Sequence, residues 1–318
     1  MGIVSFLKLV EIQTKVASMI PLILGTVYTL YRYEDFHIEN FLLMFISLLS
    51  FDMATTAINN YIDHKKAIKT EGFGYEKHNG IVKYGIKEST VRIIIGVLLI
   101  IAIVFGVLLF LNTNLVVLFL GIISFGIGVL YTFGPIPISR MPLGEIFSGF
   151  FMGFIIPFIS IYIHVYNEGI VSILFKGATI SISLTIIDII SIFLISLPAV
   201  LGISNIMLAN NLCDMEEDIE NRRYTLPIYI GRESGLKLFK YLYYIGYIDI
   251  IILIFLKVLP VISLLALFTY IPVKKNIDLF FKKQTKKDTF VVAVKNFVMI
   301  NIIHIFALLL GIIINFLL

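Results

Sequence analysis

The chain has 318 residues, of which 59% are hydrophobic and 14% charged, with a formal net charge of +4 and a mean hydropathy of +0.99. Soluble globular chains average about 45–50% apolar and ~25% charged residues, so this one lacks the polar surface to cover itself in water. A soluble enzyme and a disordered chain are excluded; apolar runs beyond the ~18 residues that span a bilayer also exclude a membrane β-barrel, whose strands would be short and alternating.

The first fifteen residues hold Lys8 and Lys15 in a short mixed segment without a cleavable signal pattern. Phe6 stands where myristoylation of Gly2 would need a hydroxyl residue, and residues 3–12 read as a short interfacial helix. Long apolar stretches then predict about nine membrane helices. They lie near residues 15–33, 40–62, 91–111, 115–132, 143–166, 186–210, 235–256, 258–273 and 293–317, with residues 170–185 as an interfacial piece before the sixth. The expected fold class is all-α, a polytopic membrane bundle in a single domain spanning residues 1–318. Cys213 is the single cysteine and cannot form an internal disulfide, and no Cys/His cluster has zinc spacing.

Placing the N-terminus in the cytoplasm puts nearly every basic residue on that side. Only Arg32, Lys176 and Lys257 remain outside, which satisfies the positive-inside rule and favours an odd number of spans. The basic cluster over residues 274–287 reads as a topology signal and a contact for anionic membrane lipid, with no chemistry assigned to it and no nucleic acid expected as a partner.

Ionisable groups inside a membrane are costly and usually functional, and they concentrate at two places. The second predicted span ends Asn59-Asn60-Tyr61-Ile62-Asp63-His64-Lys65-Lys66, and the sixth ends Asn210-Asn211-Leu212-Cys213-Asp214-Met215-Glu216-Glu217-Asp218. At 3.6 residues per turn Asn59 stacks on Asp63, and Asn210, Asp214 and Asp218 form a second stripe. One such element would be an ordinary helix cap. Two matched elements on one predicted side, each followed by cations (Lys65 and Lys66; Arg222 and Arg223), describe a site for a diphosphate. Facing carboxylates repel unless a divalent ion stands between them, and oxygen-only ligands favour Mg²⁺ completed by substrate phosphate. Asp249, Asn301 and His304 read as paired structural groups or lipid-edge residues, and Asp52 is left unassigned.

Three stretches in order carry a family resemblance. They are Asn59 to Lys66 as quoted; Tyr131-Thr132-Phe133-Gly134-Pro135-Ile136-Pro137 with Pro142-Leu143-Gly144-Glu145; and Asn210 to Asp218 continuing to Arg223-Tyr224-Thr225-Leu226-Pro227-Ile228-Tyr229-Ile230-Gly231. The chain resembles the UbiA superfamily of intramembrane prenyltransferases, and within it the branch acting on 1,4-dihydroxy-2-naphthoate. The resemblance implies transfer of a polyprenyl group from an isoprenyl diphosphate to an aromatic acceptor, with decarboxylation when that acceptor is the naphthoate. It also implies Mg²⁺ held by Asn59, Asp63, Asn210, Asp214 and Asp218, in a cell-membrane protein with its site on the cytoplasmic side. Asn60, Tyr61, Lys65, Lys66, Tyr131, Arg140, Glu145, Asn211, Arg222 and Arg223 are then substrate-binding candidates, with Tyr61 and Tyr131 suited to shelter an allylic cation. Two departures stand out. A further acid expected downstream of Asp63 meets Ala67 or Lys69, leaving Glu71 and Glu76 as candidates. Relatives commonly have an Arg-Pro pair where this chain has Glu11-Ile12, leaving Lys15 to supply the charge. A different acceptor in the same family, or an ion-coupled transporter using Asp52, Asp63 and Asp214, are the alternatives.

Overall fold

The computed structural model describes residues 2–66, 80–132 and 137–317, and the side chains of Lys66 and Thr132 are not described. Ala67, Lys69, Glu71 and Glu76 therefore lie outside the described residues, as do Gly134 and Pro135. In chain order come α1 (Ile3–Leu9), α2 (Val16–Arg32), α3 (Ile38–Lys66), α4 (Gly80–Tyr84), α5 (Glu88–Asn112) and α6 (Leu115–Thr132). After α7 (Gly144–Tyr162) a hairpin of β1 (Val171–Lys176) and β2 (Thr179–Leu184) precedes α8 (Ile186–Cys213). The short helices α9 (Met215–Glu220) and α10 (Leu226–Ile230) lead to α11 (Arg232–Phe255), α12 (Tyr270–Lys282) and α13 (Val291–Leu317).

Among the described residues six helices are long and apolar enough to cross a bilayer: α3, α5, α7, α8, α11 and α13. Six of the nine expected spans are matched by these helices, and the other three runs form shorter or broken helices. Helix α2, with 17 residues, is short for a span, and the apolar part of α6 runs only over Leu115–Tyr131. The eighth expected span is broken into a 3₁₀ stretch, Val261–Thr269, followed by α12. A purely α chain is also not what forms, because residues 170–185 contain the hairpin. Alternation in Ile180-Ser181-Ile182-Ser183-Leu184 suits a strand, and Gly177, at φ +59°, takes the first position of a two-residue turn that β-hairpins favour.

Helix–helix contact follows the rule for membranes, where close approach replaces hydrophobic collapse. A π turn, Phe151–Ile155, lies inside α7, and just here Gly149 and Gly153 face α8. A methyl group on Gly153 would overlap the backbone of Val200, and one on Gly149 would overlap the Ser204 side chain. The Ser204 hydroxyl in turn donates to the Glu145 carbonyl over 3.0 Å. These contacts lock the start of α7 against α8, so Glu145 and the acidic end of α8 are positioned together. A buried core running through α2, α7, α8 and α13 includes Tyr28, Phe158, Ile195 and Phe297. A second core joins the acidic end of α8 to α11, α12 and α13 through Leu212, Phe239, Phe280 and Ala293.

Gly153→Ala is expected to destabilise the detergent-held protein by about 1–3 kcal/mol through overpacking. Gly121→Ala, where a methyl group meets nothing, serves as the control. Equal thermal midpoints for the two variants would refute the close α7–α8 crossing.

Candidate active site at the acidic end of the bundle

The Asn59–Asp63 stripe occupies the last turns of α3, and both side chains are exposed. Their neighbours are turned toward other elements. Asn60 is buried and donates to the Leu9 carbonyl over 2.9 Å and to Glu11 Oε1 over 3.2 Å, tying α3 to the N-terminal segment. Tyr61 packs beside Ile81 and Val91 and points its hydroxyl at Glu88. Lys65 pairs with Glu88 at 2.7 Å. The first cationic pair is thus met by an acid on α5, at least for Lys65.

The second stripe bends. Helix α8 ends at Cys213, and Asp214 sits at the junction with α9. The four-residue step survives the bend, because Asp214 N–H donates to the Asn210 carbonyl (3.2 Å) and Asp218 N–H to the Asp214 carbonyl (2.8 Å). Both carboxylates are buried and both face cations. Asp214, 7% exposed, pairs with Lys286 at 2.5 Å. Asp218, 1% exposed, pairs with Arg223 at 3.3 Å and accepts from the Thr225 hydroxyl at 3.2 Å. Arg222, exposed and at φ +55°, turns the chain so that Arg223 N–H caps the Asp218 carbonyl.

The middle stretch joins this cluster directly. Asn211 donates to Glu145 Oε1 over 2.8 Å, while Glu145 Oε2 is buried without a hydrogen-bond partner among the described residues. The Tyr131 hydroxyl accepts from Ser148 at 3.0 Å. Tyr224 N–H donates to the Arg140 carbonyl, and Arg223 reaches the Ser139 carbonyl. Among the described residues, the hydrogen bond that Arg140 makes to this segment is through its backbone carbonyl.

Sequence reasoning missed three contributors. Lys286 belongs to the basic cluster read only as a topology signal, and no spacing rule links it to Asp214, 72 positions away in sequence. Thr225 lies in a quoted motif without an assigned role. Asp52, left unassigned, lies midway along α3, where it binds the buried Lys15 at 2.6 Å and also accepts from Ser18. Lys15 further donates to Thr56, so the lysine nominated for charge at this position does reach the α3 interior.

The donor set consists of carboxylate and amide oxygens, which suits a hard divalent ion, and the orphaned Glu145 oxygen is a further acceptor of that kind. Among the described residues no three His, Cys, Asp or Glu side chains converge as a ready metal cage. Lys286 and Arg223 supply the positive charge that the buried carboxylates require. Burial raises the Asp218 carboxyl above its ordinary range, with Arg223 opposing the rise and Asp214 adding to it. Burial and then Asp214 raise Glu217 as well.

Comparison with known proteins gives the family and the fold. The model of the UbiA prenyltransferase family matches residues 18–314. The 1,4-dihydroxy-2-naphthoate octaprenyltransferase of Bacillus subtilis (strain 168) is 31% identical over 232 residues, covering 73% of this chain and 67% of the relative. Two solved structures share the fold. A UbiA homologue from Archaeoglobus fulgidus bound to GPP and Mg²⁺ has a TM-score of 0.65 at 14% identity, covering 97% of this chain and 99% of its own. The apo UbiA homologue from Aeropyrum pernix K1 has a TM-score of 0.68 at 15% identity, covering 94% and 98%.

A carboxyl whose folded pKa exceeds its unfolded value of ~4 takes up a proton on folding, so its contribution to stability is lost as pH rises through the folded pKa. In chelator, Asp218→Asn should therefore gain thermal midpoint relative to the parent protein as pH increases from about 4. A difference that is flat with pH, or of opposite sign, would contradict the raised carboxyl.

Proposed function

The chain belongs to the UbiA prenyltransferase family and is an integral-membrane prenyltransferase, and from that premise we propose that it transfers a polyprenyl group from an isoprenyl diphosphate to 1,4-dihydroxy-2-naphthoate. The observation that carries this reading is the buried pair Asp214 and Asp218, each facing a cation at the end of a membrane bundle. The naphthoate acceptor is supported by the identity to the Bacillus subtilis enzyme, and the metal by the oxygen-only donor set together with the Mg²⁺ bound to the Archaeoglobus homologue. Membership of an enzyme family removes the transporter alternative.

In this reading Asp63, Asp214 and Asp218, assisted by Asn59 and Asn210, would hold Mg²⁺ against the diphosphate, where it would supply positive charge to the leaving group. Lys286 and Arg223 then turn from carboxylate to phosphate oxygens, and Arg222 and Lys66 are further cations for the same anion. The allylic C–O bond breaks with its electron pair going to the diphosphate oxygen. Tyr131 shelters the allylic cation while the apolar bundle keeps water away. The naphthalene carbon bearing the carboxylate forms the new C–C bond, and loss of CO₂ returns an electron pair to the ring. Glu145, held by Asn211, would orient the acceptor's hydroxyl groups. The site opens to the cytoplasm of a cell-membrane protein, as the distribution of basic residues favours.

The test is transfer by nanodisc-held protein given a polyprenyl diphosphate and Mg²⁺, with 1,4-dihydroxy-2-naphthoate, 4-hydroxybenzoate or no acceptor. Prenylated naphthoquinol and released CO₂ are expected only with the first. Asp63→Asn and Asp214→Asn should each lower kcat by about 100-fold or more, with the protein still folded in the membrane. Turnover with another acceptor alone would replace the naphthoate, and full activity in either variant would remove the metal site.

A further inference from the structure

The β-hairpin lies at the opposite end of the bundle from the acidic stripes, and its register determines which residues share a face. Val171, Ile173 and Phe175 stand directly opposite Leu184, Ile182 and Ile180, while Ser172, Leu174 and Lys176 stand opposite Ser183, Ser181 and Thr179. Directly opposed residues in an antiparallel pair point to the same side. One face is therefore wholly apolar, and the other is polar except for Leu174.

The root of this hairpin is held firmly. The Tyr162 hydroxyl donates to the Val171 carbonyl at 2.9 Å, and Thr185 N–H donates to the Ile170 carbonyl at 2.9 Å. Val171 and Ile173 use the apolar face to pack on the bundle core. The same face carries Phe175, Ile180 and Ile182 past the bundle, where they are 56%, 62% and 64% exposed. Helix α8 follows at once, and its first turn exposes Ile186 and Ile187 at 61% and 69%. That turn begins a helix apolar enough to cross the bilayer, so the overhanging face is continuous with surface that meets lipid.

We propose that the hairpin is a membrane foot, which seats its apolar face in the lipid leaflet beside α8 and keeps its serine face in water. A two-stranded hairpin is marginal alone in water, and lipid under its outer half supplies the burial that the bundle supplies at its root. Lys176, on the polar face beside the Gly177 turn, reaches the headgroup phosphates. The seat also fixes how deep the start of α8 lies, and with it the length of helix left to carry Asp214 to the other side.

The chain contains no tryptophan, so a single introduced indole reports its own surroundings. Ile180→Trp and Ile182→Trp are compared with Ser181→Trp and Ser183→Trp in liposomes, using brominated lipid and aqueous acrylamide as quenchers. Each variant is first required to match the parent in thermal midpoint and size-exclusion profile, and Phe175→Trp replaces any apolar-face variant that does not. Quenching by brominated lipid should be roughly twofold or more stronger at 180 and 182 than at 181 and 183, as for a face seated ~5–10 Å into the interface, with acrylamide showing the reverse order. Equal exposure of both faces to acrylamide would overturn the proposal, and so would equal quenching of both by lipid. An apolar face shielded from both quenchers would overturn it in favour of a second protein chain. None of these readouts depends on prenyl transfer.

Discussion

A charged carboxylate in an apolar bundle is stabilised by a facing cation, because leaving the charge unpaired costs several kcal/mol. Three such pairs organise this protein: Lys15 with Asp52 midway along α3, Lys286 with Asp214, and Arg223 with Asp218. Each joins elements that lie apart in the sequence or at a bend of the chain. Lys15 ties the start of α2 to α3, and Lys286 brings the segment between α12 and α13 onto the end of α8. Arg223 folds the chain beyond α9 back onto Asp218 and toward Ser139. Apolar packing is non-directional, so these pairs supply much of the register at this end of the bundle.

The same pairs explain how buried acids persist at this end of the bundle. Each cation neutralises a carboxylate without filling all of its acceptor positions, and Glu145 Oε2 adds another unfilled one. In the proposed reaction Asp214 and Asp218 would hold the divalent ion, and Lys286 and Arg223 would be free to meet the diphosphate. Charge is exchanged between partners already in place, which limits reorganisation when the leaving group develops its charge. The lock between α7 and α8 matters for the same reason, since Gly149 and Gly153 let the Glu145 segment lie against the helix that carries both aspartates.

Much of the fold was legible as runs of apolar residues bounded by charge. The runs at α3, α5, α7, α8, α11 and α13 each became a helix long enough to cross a bilayer. Hydropathy is blind to helix continuity, however, and residues 258–273 broke into 3₁₀ and α pieces after Pro260. It is equally blind to period, so the Ile-Ser alternation before α8 was assigned to the interface without being seen as a strand. At the site, the spacing of Asn210, Asp214 and Asp218 foretold a shared stripe because it is a local property of a helix. Asn60 and Tyr61 were nominated on the same local ground, yet they are engaged with the N-terminal segment and with α4 and α5.

By itself the sequence determined the solvent of this protein, the mostly helical class, the two acidic stripes and the family motifs. All of these depend on composition or on spacings within a few turns. Only the tertiary structure decided which cation answers each acid, because Lys286 and Asp214 are brought together by packing across distant helices. It also decided that a hairpin, not a helix, precedes α8, and that Glu145 joins the acidic end through Asn211. Pairing between distant segments depends on where whole helices come to rest, and no local period in the chain encodes it.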